Sequence, residues 1–224
     1  MSPGYHAPSS LGWVSRKQRP PQSTQTISGS GVSSASPRDV DEESNISPSL
    51  AGMRVISGEF GGRRLIAPEG LSTRPTTDKV RQAVFNSLGS MGVLEGATVA
   101  DLFAGSGALG IEALSRGAES CVFVERDRAA LVALRANLKA LELESRSQVV
   151  GSDVLAFAPG ISGVDIALVD PPYTFTHWAE LIGVLRAGLV VAESARAVEA
   201  PEGWQQLKVR QHGRTVFTVL ERLP

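Results

Sequence analysis

Four consecutive residues, Asp170-Pro171-Pro172-Tyr173, combine a carboxylate, a proline-stiffened turn and a flat ring. They follow an apolar, β-branched run at 164–169 that reads as a strand, so Asp170 falls at its carboxyl end. The prolines fix the turn and supply carbonyl oxygens without competing N–H donors, and Tyr173 offers a face on which a base can stack. Such a group suits a planar molecule with an exocyclic amine. The Asp170 side chain and the Pro171 carbonyl would accept the amine's two N–H bonds. That draws the nitrogen toward tetrahedral geometry and frees its lone pair to attack a methyl group held in line on a sulfonium. Positioning and electrostatics would supply most of the rate, and Asp170 or water would take the proton afterwards. The plain alternative is a structural turn carrying an exposed tyrosine.

A second stretch belongs beside the first. An apolar strand beginning at Val99 ends on Asp101, and Leu102, Phe103, Ala104, Gly105, Ser106 and Gly107 then turn into a helix running to about Arg116. Asp101 would sit at the carboxyl end of its strand, where ligands of open α/β sheets bind. Gly105 and Gly107 would let the backbone approach a ligand where a Cβ would collide, and the helix would present its N–H groups and positive dipole end. The spacing Gly105-x-Gly107-x-x-Gly110 also fits a dinucleotide fingerprint, so the glycines alone choose no cofactor.

Two further acids follow strands. Glu125 comes 24 residues after Asp101, close to the offset of about 20 at which an acid meets a ribose hydroxyl; its carboxylate could accept from both hydroxyls. Asp153 could accept from an adenine amino group or simply cap a helix. Upstream, Arg74-Pro75-Thr76-Thr77-Asp78 places a threonine cap at the start of a helix with an apolar stripe at Val80, Val84 and Leu88. Its N-terminus favours an anion that Arg74 could pair with, although a plain helix cap explains the same residues. Before it, 54–60 and 63–67 read as a hairpin turning at Gly61-Gly62. From Arg54 to Arg81 there are six basic residues and three acidic ones. Arg54, Arg63 and Arg64 could contact a phosphate backbone, or form an ordinary solvated face.

The elements that must position these groups alternate. Strands at 120–124, 148–150, 164–169 and 189–193 interleave with helices, and strands at 206–210 and 215–220 close the chain around His212-Gly213-Arg214. This describes a doubly wound α/β sheet with one antiparallel strand. The chain has 224 residues, 42% hydrophobic and 20% charged, with a net charge of −1. It can bury one core, and any nucleic-acid surface must be a local patch. The lone Cys121 lies in an apolar strand, which excludes an internal disulfide and fits a reducing cytoplasm. No run is long and apolar enough for a membrane span, and nothing resembles a secretory signal. Residues 1–52 are rich in Ser and Pro without apolar periodicity and read as a disordered leader. The folded domain is expected over 53–224, with the hairpin segment at 53–75.

Asp101-x-Phe103-x-Gly105-x-Gly107 together with Asp170-Pro171-Pro172-Tyr173 resembles the class I S-adenosylmethionine-dependent amino-methyltransferases. The chain from Met53 nearly to its end is more closely similar to bacterial small-subunit ribosomal RNA guanine-N2 methyltransferases of the RsmD type. Arg54-Val55-Ile56-Ser57-Gly58, Gly62-Arg63-Arg64-Leu65 and Arg74-Pro75-Thr76-Thr77-Asp78-Lys79-Val80-Arg81 carry that likeness, with Ser57 standing where glycine is expected. The resemblance implies a Rossmann-like, mostly parallel seven-stranded sheet with a small N-terminal hairpin. It implies S-adenosyl-L-methionine held by Arg74, Thr76, Asp101, Phe103, Gly105, Ser106, Gly107, Glu125, Asp153 and Asp170, with no metal. Asp170, Pro171, Pro172 and Tyr173 would be catalytic, and Arg54, Arg63 and Arg64 would touch RNA. The implied substrate is a guanine N2 amine in 16S ribosomal RNA within a small-subunit assembly particle, and the implied enzyme a cytoplasmic monomer. Four other readings use parts of the same sequence. A DNA adenine or cytosine amino-methyltransferase would need a target-recognition domain, for which the folded part has no room. A protein-glutamine methyltransferase would call for Asn at position 170. A nicotinamide-dependent oxidoreductase leaves Asp170 to Tyr173 unexplained, and a non-catalytic RNA-binding module would need only the hairpin.

Overall fold

The structure, a computed structural model, describes residues 52–68 and 78–224. Residues 1–51 of the expected leader at 1–52, and Arg74, Pro75, Thr76 and Thr77, lie outside the described residues. Seven strands form one sheet: β1 (Thr98–Leu102), β2 (Ser120–Glu125), β3 (Ser147–Gly151), β4 (Val164–Val169), β5 (Ala187–Ser194), β6 (Trp204–His212) and β7 (Thr215–Arg222). Their order is β3-β2-β1-β4-β5-β7-β6. The first five run parallel, and β7 pairs antiparallel with both β5 and β6. This is the doubly wound, mostly parallel seven-stranded sheet expected from the sequence. Chain order reverses at β1, which has β2 on one side and β4 on the other. A crevice therefore opens beyond the carboxyl ends of these two neighbours.

Alternating strand residues feed two cores. Val99, Ile166, Leu168, Leu189 and Val191 face helices α1 (Asp78–Met91), α2 (Ala108–Ser115) and α3 (Arg128–Ala140). Ala100, Leu102, Ala167, Val169 and Val190 face α4 (Val154–Phe157) and α5 (Trp178–Val184). The expected stripes are buried: Val80, Val84 and Leu88 on α1, and Leu131, Leu134 and Leu138 on α3, with Leu141 at the α3 C-cap. Asp127 caps α3 by accepting from the Ala130 N–H at 2.8 Å. Cys121 is buried in β2, and burial, with Asp101 nearby, raises its pKa so that it stays a thiol.

The N-terminal segment departs from two regular strands. A single antiparallel bridge joins Arg54 to Arg64, supported by Val55 N–H to Arg63 carbonyl and Leu65 N–H to Met53 carbonyl bonds. The intervening N–H groups turn to α2 instead of to a partner strand. Ile56 and Ser57 donate to the Glu112 carboxylate at 2.7 and 3.1 Å, and Glu59 and Phe60 donate to Ser115. Glu112 is fully buried and also accepts from Arg116 Nε at 2.6 Å, with Arg81 Nε 3.8 Å away. Arg81 in turn donates to the Arg54 carbonyl and to Asp78. One buried carboxylate thus ties the segment to α1 and α2, and removing it would take a charge partner from Arg81 and Arg116 and the acceptor from two backbone N–H groups. Glu112→Ala is expected to cost about 3–5 kcal/mol in denaturant unfolding. Val132→Ala, on the exposed face of α3, should stay within about 0.5 kcal/mol.

Candidate functional site

The crevice at the strand ends is a cleft of 1990 Å³. Its walls come from the turn after β1, the ends of β2 to β5, the start of α1 and the β6–β7 turn. Of the sequence-predicted residues, Phe103, Gly105, Ser106, Glu125, Asp153, Asp170, Pro171, Pro172 and Tyr173 line it together. Asp101, Gly107 and the arginines 54, 63 and 64 do not.

The turn after β1 is held from behind. Asp101 is 1% exposed, and its carboxylate accepts from the Gly110 N–H at 2.8 Å. The expected ligand-facing carboxylate therefore faces inward and anchors α2 to β1. Burial raises its pKa well above the carboxylate range. The Gly110 bond opposes that rise, and the charges of Asp170 and Glu125 add to it. Phe103 adopts φ +66 and Gly105 φ +55, and the Ala104 N–H is held by the Val124 carbonyl. Gly105 has open space where a Cβ would project. Gly107 serves differently. At φ +83 its missing Cβ would strike Leu134, and one on Gly110 would strike Phe123 and Cys121. Both glycines let α2 and its turn pack closely on α3 and β2. Asn137 of α3, which the sequence did not single out, is the second anchor. Its amide donates to the Ser106 and Ile66 carbonyls at 2.9 Å, and its oxygen accepts from the Ile66 N–H at 2.7 Å.

On the β2 and β3 side, Glu125 accepts from the Gly105 N–H through one oxygen and from the Arg126 and Asp127 N–H groups through the other, each at 2.8 Å. Three of a carboxylate's roughly four acceptor sites are thereby filled. One remains for a ligand hydroxyl, where the sequence suggested two. Asp153 caps α4 through the Leu155 N–H at 2.9 Å and pairs with Arg126 at 2.9 Å. Ser106 donates its hydroxyl to the Met53 sulfur at 3.3 Å.

On the β4 and β5 side, Asp170-Pro171-Pro172 lies at the cleft wall and closes with a Phe175 N–H to Pro172 carbonyl bond of 2.8 Å. Phe175 packs edge-on against Phe103 and Trp178, with ring centres 5.2 and 5.3 Å apart, an apolar floor that no sequence pattern announced. Tyr173 is 63% exposed, its hydroxyl 3.4 Å from Thr215 Oγ1 on the β6–β7 hairpin. Its ring is therefore on an open rim. His177 stands before α5 and pairs with Glu180 at 3.0 Å. Glu193, at the end of β5, is a buried cleft carboxylate that the sequence reading left unassigned. Its signal was the one used elsewhere, an acid closing an apolar strand.

The three arginines proposed for RNA are exposed. Arg54 pairs with Asp78 at 3.4 Å, and Arg63 donates to the Ala140 carbonyl at the end of α3 at 3.0 Å. Arg64 makes no ion pair or side-chain hydrogen bond with any described residue. No helix among the described residues is long and apolar enough to cross a membrane.

Known proteins resemble this architecture over most of the chain. The profile of a family described as Conserved hypothetical protein 95 matches residues 53–221. YlbH of Bacillus subtilis (strain 168), which carries a provisional rRNA methyltransferase name, is 45% identical over 161 residues, 67% of this chain and 86% of its own. Ribosomal RNA small subunit methyltransferase D of Escherichia coli (strain K12) is 35% identical over 181 residues, 76% of this chain and 90% of its own. A solved Escherichia coli structure, yhhF, provisionally named a methyltransferase, superposes with a TM-score of 0.67 at 35% identity, covering 76% of this chain and 98% of that one.

The raised pKa of Asp101 has a consequence for stability. The unfolded chain ionises this group in the ordinary carboxylate range while the folded chain resists, so wild-type stability falls as pH rises through and above that range. Asp101→Asn keeps an acceptor for Gly110 and removes the titration. Guanidinium unfolding from roughly pH 4 to roughly pH 8 should show the variant gaining on wild type as pH rises. A constant difference across that range would show that Asp101 titrates normally.

Proposed function

The chain belongs to the Conserved hypothetical protein 95 family, and on that premise we propose that it is an S-adenosyl-L-methionine-dependent methyltransferase acting on the N2 amine of a guanine in 16S ribosomal RNA. The observation that carries this reading is the meeting of the Gly105 turn and the Asp170-Pro171-Pro172 turn in one cleft, at the point where strand order reverses. The names of the relatives support ribosomal RNA as the substrate class.

The donor half of the cleft fits such a cofactor. The space beside Gly105 admits a ligand against the backbone, and Glu125 retains an acceptor site for a ribose hydroxyl. Asp153 stands farther along the same wall, on the side where an adenine would lie. When bound, S-adenosyl-L-methionine supplies an electrophilic methyl carbon on a sulfonium. Asp170 and the Pro171 carbonyl accept the two N–H bonds of the guanine amine and turn its lone pair out of conjugation. Asp170, or water beside it, takes the proton from the methylated nitrogen. The carboxylates of Asp170 and Glu125, close enough to act on Asp101, also favour a cationic sulfonium. Arg54, Arg63 and Arg64 belong to the RNA contact, and Arg74 and Thr76 to the cofactor site. The enzyme is a cytoplasmic monomer that needs no metal, its substrate is the RNA within an assembling small-subunit particle, and residues 1–52 are a leader outside the domain.

Incubation with labelled S-adenosyl-L-methionine and 16S RNA, free or in small-subunit particles, followed by nucleoside analysis, should yield N2-methylguanosine. N6-methyladenosine or N4-methylcytosine would contradict the guanine assignment. Asp170→Ala should lower turnover by about 100-fold or more while cofactor affinity changes only a few-fold; unchanged turnover would refute the amine-holding role. Arg64→Ala should weaken RNA binding and reduce its salt slope by about one without affecting cofactor affinity. A salt slope equal to wild type would remove this segment from the RNA contact.

A further inference from the structure

Strand order divides the cleft into two halves. The turn after β1, Glu125 and Asp153 follow β1, β2 and β3, whereas Asp170 and Glu193 follow or close β4 and β5. Resting on the guanine reading above, we propose that Glu193 is the residue that makes the acceptor half select guanine, by accepting the ring N1–H next to the amine held at Asp170.

Three observations lead there. β4 and β5 are parallel, with Val169 in register with Ala192, so Asp170, the first residue past the end of β4, comes beside Glu193 of β5, where neighbouring strand backbones run about 4.8 Å apart. Both line the cleft. Glu193 is only 8% exposed, and a carboxylate this enclosed is held to a few acceptor directions and discriminates strongly between a donor and another acceptor. It has protein interactions of its own, but a carboxylate's roughly four acceptor sites accommodate both a protein donor and a ligand N–H.

The chemistry of the bases supplies the rest. The guanine amine has a ring N–H, N1, as its neighbour. The adenine amine neighbours a bare N1 acceptor, and the cytosine amine a bare N3 acceptor. Asp170 and the Pro171 carbonyl recognise an amine but cannot tell these three apart. A second carboxylate beside Asp170 can, because it attracts N1–H and repels a bare ring nitrogen. Glu193 is a positioning and specificity residue in this scheme; it takes no proton during transfer.

The test uses the full chain and RNA carrying either guanine or 2-aminopurine at the modified nucleotide. 2-Aminopurine keeps the amine in the same place but presents a bare N1. Wild type should favour guanine by about 100-fold or more in kcat/KM. Glu193→Gln, nearly isosteric, places an amide N–H where it can donate to the bare nitrogen. It should narrow that preference by at least about tenfold, with the guanine value falling and the 2-aminopurine value holding or rising. A structural role would lower both substrates together, and an unchanged ratio in the variant overturns the proposal. Should Glu193→Gln fail to fold, Glu193→Asp provides the same decision: its carboxylate, drawn back by one methylene, should lose more on guanine than on 2-aminopurine and narrow the preference, whereas equal fold-losses on both substrates overturn the proposal. Wild type methylating both RNAs alike also overturns it. Wild type that methylates no guanine amine defeats the underlying functional reading instead.

Discussion

The buried hydrogen bond from the Gly110 N–H to Asp101 is the constraint on which the cleft depends. It fixes the first turn of α2 on the end of β1, so the intervening residues must make a tight reversal. That reversal forces Phe103, Gly105 and Gly107 to positive φ. Phe103 bears a real conformational cost there, offset by its ring packing on Phe175. The same contact joins the two halves of the cleft, since Phe103 follows β1 and Phe175 follows the Asp170 turn. A carboxylate placed out of water is expensive. Here the cost accompanies a half-buried Gly105 backbone that Glu125 holds from the other strand.

A second buried charge network supports the first. Glu112 lies on α2, a few residues after Gly110, and collects backbone and arginine donors from the N-terminal segment and α2. Asn137 performs a similar task from α3, joining Ile66 to the carbonyl of Ser106. The N-terminal segment is therefore fastened at several points to the helix that begins at the glycine turn. A surface proposed to receive RNA is thus connected through packed elements to the Gly105 side of the cleft.

Much of this was legible in the sequence because strand and helix periods are strong signals. All seven strands fall where apolar runs predicted them, and the stripes Val80–Leu88 and Leu131–Leu138 are buried as their spacing requires. Acids at strand ends located most of the cleft. What the sequence could not reveal was direction. Asp101 and Asp170 look alike in sequence, yet one faces the core and the other the cleft. Gly105 and Gly107 share one motif, yet only the first has open space beside it; the second is constrained by Leu134, which lies 27 residues away. The expected hairpin strands shrank to one bridge because Glu112 and Ser115, distant in sequence, took the N–H groups a strand partner would have used. Glu193 and Asn137 carried weak or unremarked signals, since their roles arise from which elements meet.

The account joins a donor held against Gly105 and Glu125 to an amine held at Asp170, across the junction of β1 and β4. A crystal structure with S-adenosyl-L-homocysteine bound tests that juxtaposition most directly. The account predicts a ribose hydroxyl on Glu125 and the sulfur directed toward the Asp170 carboxylate. A ligand seated elsewhere, or one whose sulfur points away from Asp170, would contradict it.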